Sequence, residues 1–383
     1  MKSAAVEASS EAPVAVPFLD LEPTLRHGIR EAVLADIEEL LRTHAYTNGP
    51  HVAAFERAFA AYCGTDECIG VSNGLDGLRL ALIAAGIEAG DEVVVPANTF
   101  VATVEAVAQA GGVPVLADAG ESDFNLDVDA AAAAIGPRTR FLLPVHLYGQ
   151  LADVAGLEQI AQGAGIQIVE DACQAHGARR DGRLAGSVGV AAAFSFYPGK
   201  NLGAIGDAGA VVTGDGELAR AVRTLREHGQ SRKYEHDVEG WTARLDTIQA
   251  LLLLHKLPHL DGWNEERHAA ARFYSEALAD VGDLRLPPVA EASEPVWHLY
   301  VVRTARPAAL AEFLAARGIG TGRHYPQPVH LTSAYRRLGY PRGAFPVAEA
   351  LADELLSLPI YPGISELQLS AVVEAVGDYF RRG

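Results

Sequence analysis

Short apolar segments alternate with alanine- and leucine-rich stretches between about residues 66 and 215. Several of these segments are apolar throughout, which is typical of strands covered by helices on both faces. The alternation predicts an α/β fold with a mostly parallel, doubly wound sheet, on which ligands bind beyond the carboxyl ends of the strands. The predicted strands are residues 68–72, 92–96, 113–117, 140–145, 166–170, 192–196 and 210–213.

After residue 215 the pattern becomes that of a smaller α/β unit. A helical stretch over 247–278 contains Pro258, which is expected to kink or break it because proline cannot donate the helical hydrogen bond. The remaining predicted elements are a helix over 216–228, a polar loop over 229–240, a strand over 296–304, and helices over 307–318, 347–356 and 365–379.

The length of 383 residues fits one large and one smaller domain. We predict a large domain over residues 14–255, with an N-terminal helical segment, and a small C-terminal domain over 256–383. Residues 1–13 carry acids and lack an apolar core, so they are expected to be a disordered tail and not a signal peptide.

Charge and cysteine content exclude several classes of function. The net charge of −18 argues against a nucleic-acid partner, and the apolar stretches are too short for a membrane partner. Cys63, Cys68 and Cys173 are too few and odd in number for a disulfide scaffold, and no second Cys/His pair follows at zinc spacing. We therefore expect a cytoplasmic protein without a metal site.

The scarcity of lysine makes Lys200 conspicuous, since the chain has only four lysines. It follows an apolar strand and a Tyr-Pro-Gly turn. Unlike arginine, a buried lysine can lose its charge and act as a nucleophilic amine. The alternative is an ordinary surface lysine in a turn.

Other candidate groups follow the predicted strands. Asp171 comes directly after one, where a carboxylate can pair with the pyridine nitrogen of pyridoxal phosphate (PLP) or simply cap a helix. Residues 72–76 join a strand to a helix, and free amides at a helix start suit a phosphate. Phe100 can stack on an aromatic cofactor or be an ordinary core residue.

Four segments carry a resemblance to a known family. They are DACQAHGA (171–178), FSFYPGKNLGAIGDAGAVVT (194–213), VPANTFVAT (95–103) and HYPQPVH (324–330). In these segments the chain resembles the DegT/StrS nucleotide-sugar aminotransferases, which are fold-type I enzymes that use PLP and its amino form, PMP. The resemblance runs from about Pro17 to the C-terminus and is strongest toward enzymes that aminate carbon 3 of a dTDP-linked 3-oxo-6-deoxyhexose.

The resemblance implies roles for the residues around the cofactor ring. Lys200 matches the catalytic lysine that bonds to the cofactor and later moves the proton. Asp171 matches the partner of the pyridine nitrogen. Phe100 matches the aromatic residue stacked on one ring face, and Gln174 matches a side chain packed near the ring.

The same resemblance implies a phosphate site built from the Ser195 hydroxyl and the backbone amides of Gly74 and Leu75. Two positions depart from the family pattern. Thr242 stands where an asparagine usually reaches the cofactor phosphate of the neighbouring subunit, and Ala208 replaces a glycine. The Thr242 contact is therefore open.

The implied reaction is amino transfer from L-glutamate to a nucleotide-linked oxo-sugar in a homodimer with shared active sites. The expected substrate contacts are Tyr197, Arg244, His324, Tyr325 and His330, although Arg244 can equally be a solvated surface residue. Alternatives are an aminotransferase for another sugar position or for a cyclitol ketone, a PMP-dependent sugar dehydratase, and a non-catalytic regulator. Relatives of the dehydratase kind carry histidine in place of the lysine, so Lys200 argues against that reaction.

Overall fold

The computed structural model describes residues 14–382. The predicted tail over 1–13 therefore lies outside the described residues. The helices are α1 (Ile29–Thr43), α2 (Pro50–Cys63), α3 (Gly74–Ala84), α4 (Val101–Gln109), α5 (Val128–Ala134), α6 (Val154–Ala164), α7 (Gly216–Arg226), α8 (Thr247–Lys256), α9 (Leu260–Ala277), α10 (Pro307–Ala315), α11 (Pro346–Glu354) and α12 (Glu366–Arg382).

The strands include short pairs as well as the main sheet. They are β1 (Glu67–Val71), β2 (Glu92–Pro96), β3 (Val113–Ala117), β4 (Thr139–Leu142), β5 (Gln167–Asp171), β6 (Arg179–Arg180), β7 (Arg183–Leu184), β8 (Ala191–Ser195), β9 (Gly209–Thr213), β10 (Gln230–Arg232), β11 (Glu235–His236), β12 (Ser293–Glu294), β13 (Tyr300–Arg303) and β14 (Leu355–Leu358).

The central sheet has seven strands in the order β1-β9-β8-β5-β4-β2-β3. The pairs from β8 to β3 are all parallel, whereas β9 runs antiparallel to both of its neighbours. The predicted mostly parallel α/β sheet is confirmed. Because β9 runs in reverse, the segment between β8 and β9 returns at the edge where the other strands end.

Both faces of this sheet are covered, as its apolar strands require. On one face, Phe55 and Phe59 of α2 meet Phe194 and Phe196, with ring centroids 5.0–5.2 Å apart in edge-to-face contacts. All four rings are at most 1% exposed, and each such burial stabilises the fold by roughly 1.5–3 kcal/mol. The other face packs against α3, α4 and α7.

A second core joins α9, α10 and α12 to the antiparallel pair β13–β14. Val16 pairs with Ile319 and belongs to this core, so the beginning of the described chain packs with the C-terminal elements. A 3-10 turn over Leu257–His259 separates α8 from α9, as Pro258 predicts. Within the described residues, no helix is both long enough and apolar enough to cross a bilayer.

Two sequence predictions in this region are wrong. Residues 355–356 do not continue a helix; they open β14, whose four side chains are all buried because it pairs with β13. The strand expected from residue 296 starts only at Tyr300. Trp297 has a φ of 48°, which breaks extended backbone before the strand.

Candidate active site

One cavity of about 660 Å³ opens at the carboxyl edge of the central sheet, within the size range of small-molecule sites. The segments that follow β1, β2, β5 and β8 all reach it, since the ends of parallel strands meet at one edge. The opposite wall comes from residues near 298 and 324. Ten of the residues predicted for the site line this cavity: Gly74, Leu75, Phe100, Asp171, Gln174, Ser195, Tyr197, Lys200, His324 and Tyr325.

Asp171, the last residue of β5, is the most firmly held of these groups. One carboxylate oxygen accepts a hydrogen bond from the Thr103 hydroxyl at 2.8 Å, and the other accepts from the Cys173 amide at 3.1 Å. Thr103 is itself 2.8 Å from the hydroxyl of Thr99. The carboxylate is only 5% exposed but reaches the cavity, so it can pair with a positively charged group there.

Lys200 lies in the segment that returns from β8 to β9. Burial lowers the pKa of its ammonium group below the ordinary value, although Cys173 and the Asp171 carboxylate act in the opposite direction. Among the described residues that line the cavity, Lys200 is the sole lysine or arginine. The cavity therefore offers an amine that loses its proton more readily than a lysine in water, and the uncharged form is the nucleophile.

The start of α3 lines one end of the cavity with Asn73, Gly74 and Leu75. Asn73 accepts a hydrogen bond from the Asp76 amide at 2.8 Å, which leaves the amides of Gly74 and Leu75 directed beyond the helix start. A Cβ on Gly74 would lie 2.6 Å from the sulfur of Cys173 and 2.9 Å from Ser195 Cβ, so only glycine fits there.

Aromatic and amide side chains form the remaining wall. Phe100 is 50% exposed at the cavity, and its ring centroid is 5.4 Å from that of Tyr325. Gln174 donates to the Tyr325 hydroxyl at 3.1 Å and accepts from the Tyr148 amide at 2.7 Å. Burial and the charge of Lys200 lower the pKa of His324 to about 4, so its ring is neutral at physiological pH. The half-exposed phenyl ring of Phe100 suits a flat aromatic ligand.

Three predicted site residues do not line the cavity. Thr242 is exposed, with its hydroxyl 3.0 Å from His228 Nε2. Arg244 forms an ion pair with Glu227 at 2.9 Å. His330 is 1% exposed and lies 3.0 Å from Glu349, so it supports its loop from behind.

Sequence reasoning missed two residues that the structure places at the cavity or against its acid. Thr103 is hidden in the sequence as one position of a helix, and its alignment with Asp171 depends on the packing of α4 against the sheet. His298 lines the cavity but falls in a segment predicted as strand. A histidine directly after Trp297, before an apolar run, was the available signal for it.

These groups fit PLP. The glycine-lined helix start and Ser195 suit a phosphate, the buried Asp171 carboxylate suits a protonated pyridine nitrogen, and the exposed ring of Phe100 suits a flat heterocycle. Lys200 faces the same space with an amine suited to bonding a carbonyl carbon.

Comparisons with known proteins agree with this chemistry. The chain is 48% identical to a dTDP-3-amino-3,4,6-trideoxy-alpha-D-glucose transaminase of Streptomyces venezuelae over 367 residues, covering 96% of this chain and 97% of that protein. The crystal structure of S. venezuelae DesV in complex with a ketimine intermediate matches with a TM-score of 0.94 and 48% identity, over 96% of this chain and 99% of that one. NtdA from Bacillus subtilis, with bound cofactor PMP, matches with a TM-score of 0.89 and 30% identity over 97% and 86% of the two chains.

The family model extends this agreement across nearly the whole described structure. The model of the DegT/DnrJ/EryC1/StrS aminotransferase family matches residues 27–377, which include every residue of the cavity from Gly74 to Tyr325. Together with the fit to PLP, this match settles the family: the chain belongs to the DegT/DnrJ/EryC1/StrS aminotransferases, which are PLP-dependent enzymes.

Proposed function

We propose that the enzyme transfers the amino group of L-glutamate to carbon 3 of a dTDP-linked 3-oxo-6-deoxyhexose. The observation that carries the proposal is that Lys200 and Asp171 line one cavity, Asp171 at the end of β5 and Lys200 in the segment that follows the neighbouring strand β8. Similarity over 96% of the chain to a transaminase for a dTDP-3-amino sugar supports the choice of substrate.

PLP, when bound, supplies the electron sink that makes the α-carbon of an amino acid acidic. Lys200 would hold the cofactor covalently and then move the proton, an arrangement that contributes roughly 10²–10⁴-fold to the rate. Asp171 would keep the pyridine nitrogen protonated, with its own position fixed by Thr103. Phe100 and Gln174 would orient the ring, and Ser195 with the start of α3 would bind the phosphate.

The sugar would lie against the cavity wall formed by Tyr197, His324 and Tyr325. Tyr197 is 59% exposed at the cavity, which leaves its ring and hydroxyl available to a ligand. The carbonyl oxygen of His324 accepts a hydrogen bond from the Tyr148 hydroxyl, and the His324 ring lies 2.8 Å from Ser357. These contacts fix the backbone and the ring of His324 while leaving the cavity side open.

A homodimer with shared sites completes the proposal. Glutamate carries two carboxylates and dTDP carries a diphosphate, yet Lys200 is the sole lysine or arginine among the described lining residues. The β10–β11 hairpin carries exposed Arg232 and Lys233, which can supply positive charge to a neighbouring subunit. In this arrangement Thr242 and Arg244 contribute to the active site of the partner subunit. The proposed place of work is the cytoplasm. Light scattering that finds the mass of one chain would contradict the dimer.

The visible spectrum of the purified enzyme, taken before and after addition of L-glutamate without sugar, tests the proposed function. We expect a band of covalently held PLP that bleaches to the spectrum of PMP. Addition of a dTDP-3-oxo-6-deoxyhexose should then restore the first band and release the 3-amino sugar, identified by mass spectrometry. A protein that binds no PLP, or that bleaches with glutamate but ignores every 3-oxo sugar, contradicts the cofactor or the substrate respectively.

Lys200→Ala provides the matched control. We expect this variant to keep the far-UV circular dichroism spectrum of the wild type and to lose turnover, because no other amine lines the cavity among the described residues. Measurable amino transfer by the folded variant would remove Lys200 from its role.

A further inference from the structure

His298 lines the cavity, and the backbone around it is held by hydrogen bonds from the buried side chain of Arg267. The guanidinium group of Arg267 is 2% exposed and donates to the carbonyls of Trp297 at 3.1 Å, His298 at 3.4 Å and Ile360 at 2.9 Å. The His298 ring lines the same cavity as Lys200. Because the buried Arg267 guanidinium binds these three carbonyls, the backbone that carries the His298 imidazole is held in place.

The hydrogen bonds around Asn201 determine which ring nitrogen of His298 carries the proton. The Asn201 amide nitrogen lies 2.9 Å from the carbonyl of Val296 and 2.9 Å from Asn264 Oδ1. A backbone carbonyl can only accept, so this atom of Asn201 must be the NH₂ group. Its Oδ1 is therefore an acceptor, and it lies 3.1 Å from His298 Nδ1. His298 must carry its proton on Nδ1, which leaves a lone pair on Nε2.

The orientation of Asn264 is fixed independently. Its amide nitrogen lies 2.9 Å from the carbonyl of His176, so its Oδ1 is free to accept from Asn201. The ring of His176 in turn lies 2.9 Å from the carbonyl of Ser195. A continuous polar chain therefore runs from the end of β8 to His298, and every member of it is buried except at the two ends.

We propose that His298 is a positioning residue for Lys200: its Nε2 lone pair accepts a hydrogen bond from the protonated amine of Lys200 and aims that proton at the reacting carbon. The proton stays on the lysine in this contact, so the reaction gains no extra proton transfer. Burial, reinforced by the charge of Lys200, lowers the pKa of His298 well below its usual range, which keeps the ring neutral and able to accept. The proposal rests on the proposed role of Lys200.

Two substitutions at this position separate the acceptor from the packing. In His298→Asn, the side-chain amide can still donate to Asn201 but offers no acceptor to the cavity. In His298→Gln, the longer amide can present its oxygen near the position of Nε2. We expect His298→Asn to slow single-turnover reaction with L-glutamate about tenfold to a hundredfold, the worth of a hydrogen bond to a charged group, and His298→Gln to recover part of that loss.

The two half-reactions show where the hydrogen bond goes. Because Lys200 moves the proton in both, His298→Asn should slow the glutamate and the sugar half-reactions by the same factor, with kcat affected more than KM. Slowing of the sugar half-reaction alone would assign His298 to the sugar and overturn the proposal. Unchanged rates in both would also overturn it.

Nitrogen NMR of cofactor-free protein tests the same contact without activity. With ¹⁵N-labelled histidine and the His298→Gln variant for assignment, we expect His298 to carry its proton on Nδ1 near neutral pH, and its Nε2 signal to shift in Lys200→Met. A proton on Nε2, or an Nε2 signal that ignores Lys200→Met, refutes the contact even if the enzyme transfers amino groups. Conversely, a wild type inert toward glutamate refutes the proposed function, whatever the NMR shows.

Discussion

Lys256 is a buried lysine, and loss of its charge should make the free energy of unfolding rise with pH in the alkaline range. It is 4% exposed at the end of α8, and its amine donates to the carbonyl of Gly203 at 2.7 Å. Gln249 lies seven residues earlier in the same helix, and its side-chain oxygen accepts a hydrogen bond from the amide of Ile205 at 3.0 Å. The helix thus supports the segment that follows Lys200 at two points.

The magnitude follows from the pKa of Lys256, which burial lowers from 10.5 to about 8. Between these values the unfolded chain binds the proton and the folded chain does not, so the free energy of unfolding rises with pH. At 1.36 kcal/mol per pKa unit the whole effect is about 3 kcal/mol, of which about 2 kcal/mol falls between about pH 7.5 and about pH 10.

The perturbation is Lys256→Met, which keeps the length of the side chain and removes the charge. The assay is equilibrium urea unfolding of the PLP-saturated protein, followed by far-UV circular dichroism at both pH values. We expect the free energy of unfolding of the wild type, minus that of Lys256→Met, to increase by about 2 kcal/mol from the lower to the higher pH. Taking this difference cancels the titration of all other groups.

Lys233→Met is the matched control, since Lys233 is exposed and its removal should leave the difference independent of pH. Parallel pH dependences of the wild type and Lys256→Met would refute the reasoning, because the amine would then titrate alike in the folded and unfolded chains.

Two further substitutions test the cofactor end of the cavity. Gly74→Ala should weaken PLP binding and destabilise the fold by about 1–3 kcal/mol, because the new Cβ would lie 2.6 Å from the Cys173 sulfur. Gly216→Ala meets no atom within 4 Å and should change neither equilibrium titration with PLP nor the unfolding midpoint. Thr103→Val should weaken PLP binding about tenfold, since Asp171 loses a donor at 2.8 Å that fixes its carboxylate; Thr103→Ser keeps the hydroxyl and should bind PLP like the wild type, and equal affinity in all three proteins would contradict this role.

The sheet could be predicted because its strands are apolar on both faces. Val93, Val94 and Val95 are consecutive and all fully buried, a pattern that few other structures produce. The reversal of β9 was not predicted. The segment over 196–208 nevertheless held a signal for it, because a parallel neighbour needs a crossover, usually a helix, and this segment is rich in glycine with no helical period.

The site could be predicted where chemistry sits at a strand end, as with Asp171 and Lys200. It could not be predicted where tertiary packing makes the contact. Thr103 reaches Asp171 from a helix that is 68 positions away in sequence, and no local pattern marks such a pair. His330 shows what a motif leaves open, since a motif implies that a residue matters without saying which way its side chain points; the structure places this ring against Glu349 and not at the cavity.

The two walls of the cavity come from different kinds of segment. The groups suited to PLP stand at strand ends of the seven-stranded sheet, whereas His298, His324 and Tyr325 stand on connections around β13, β14 and α10. Loops can be exchanged with less cost to a fold than strands. New acceptor sugars can therefore be sought by replacing residues 324–330 while the sheet and His298, and with them the capacity for amino transfer, are inherited unchanged.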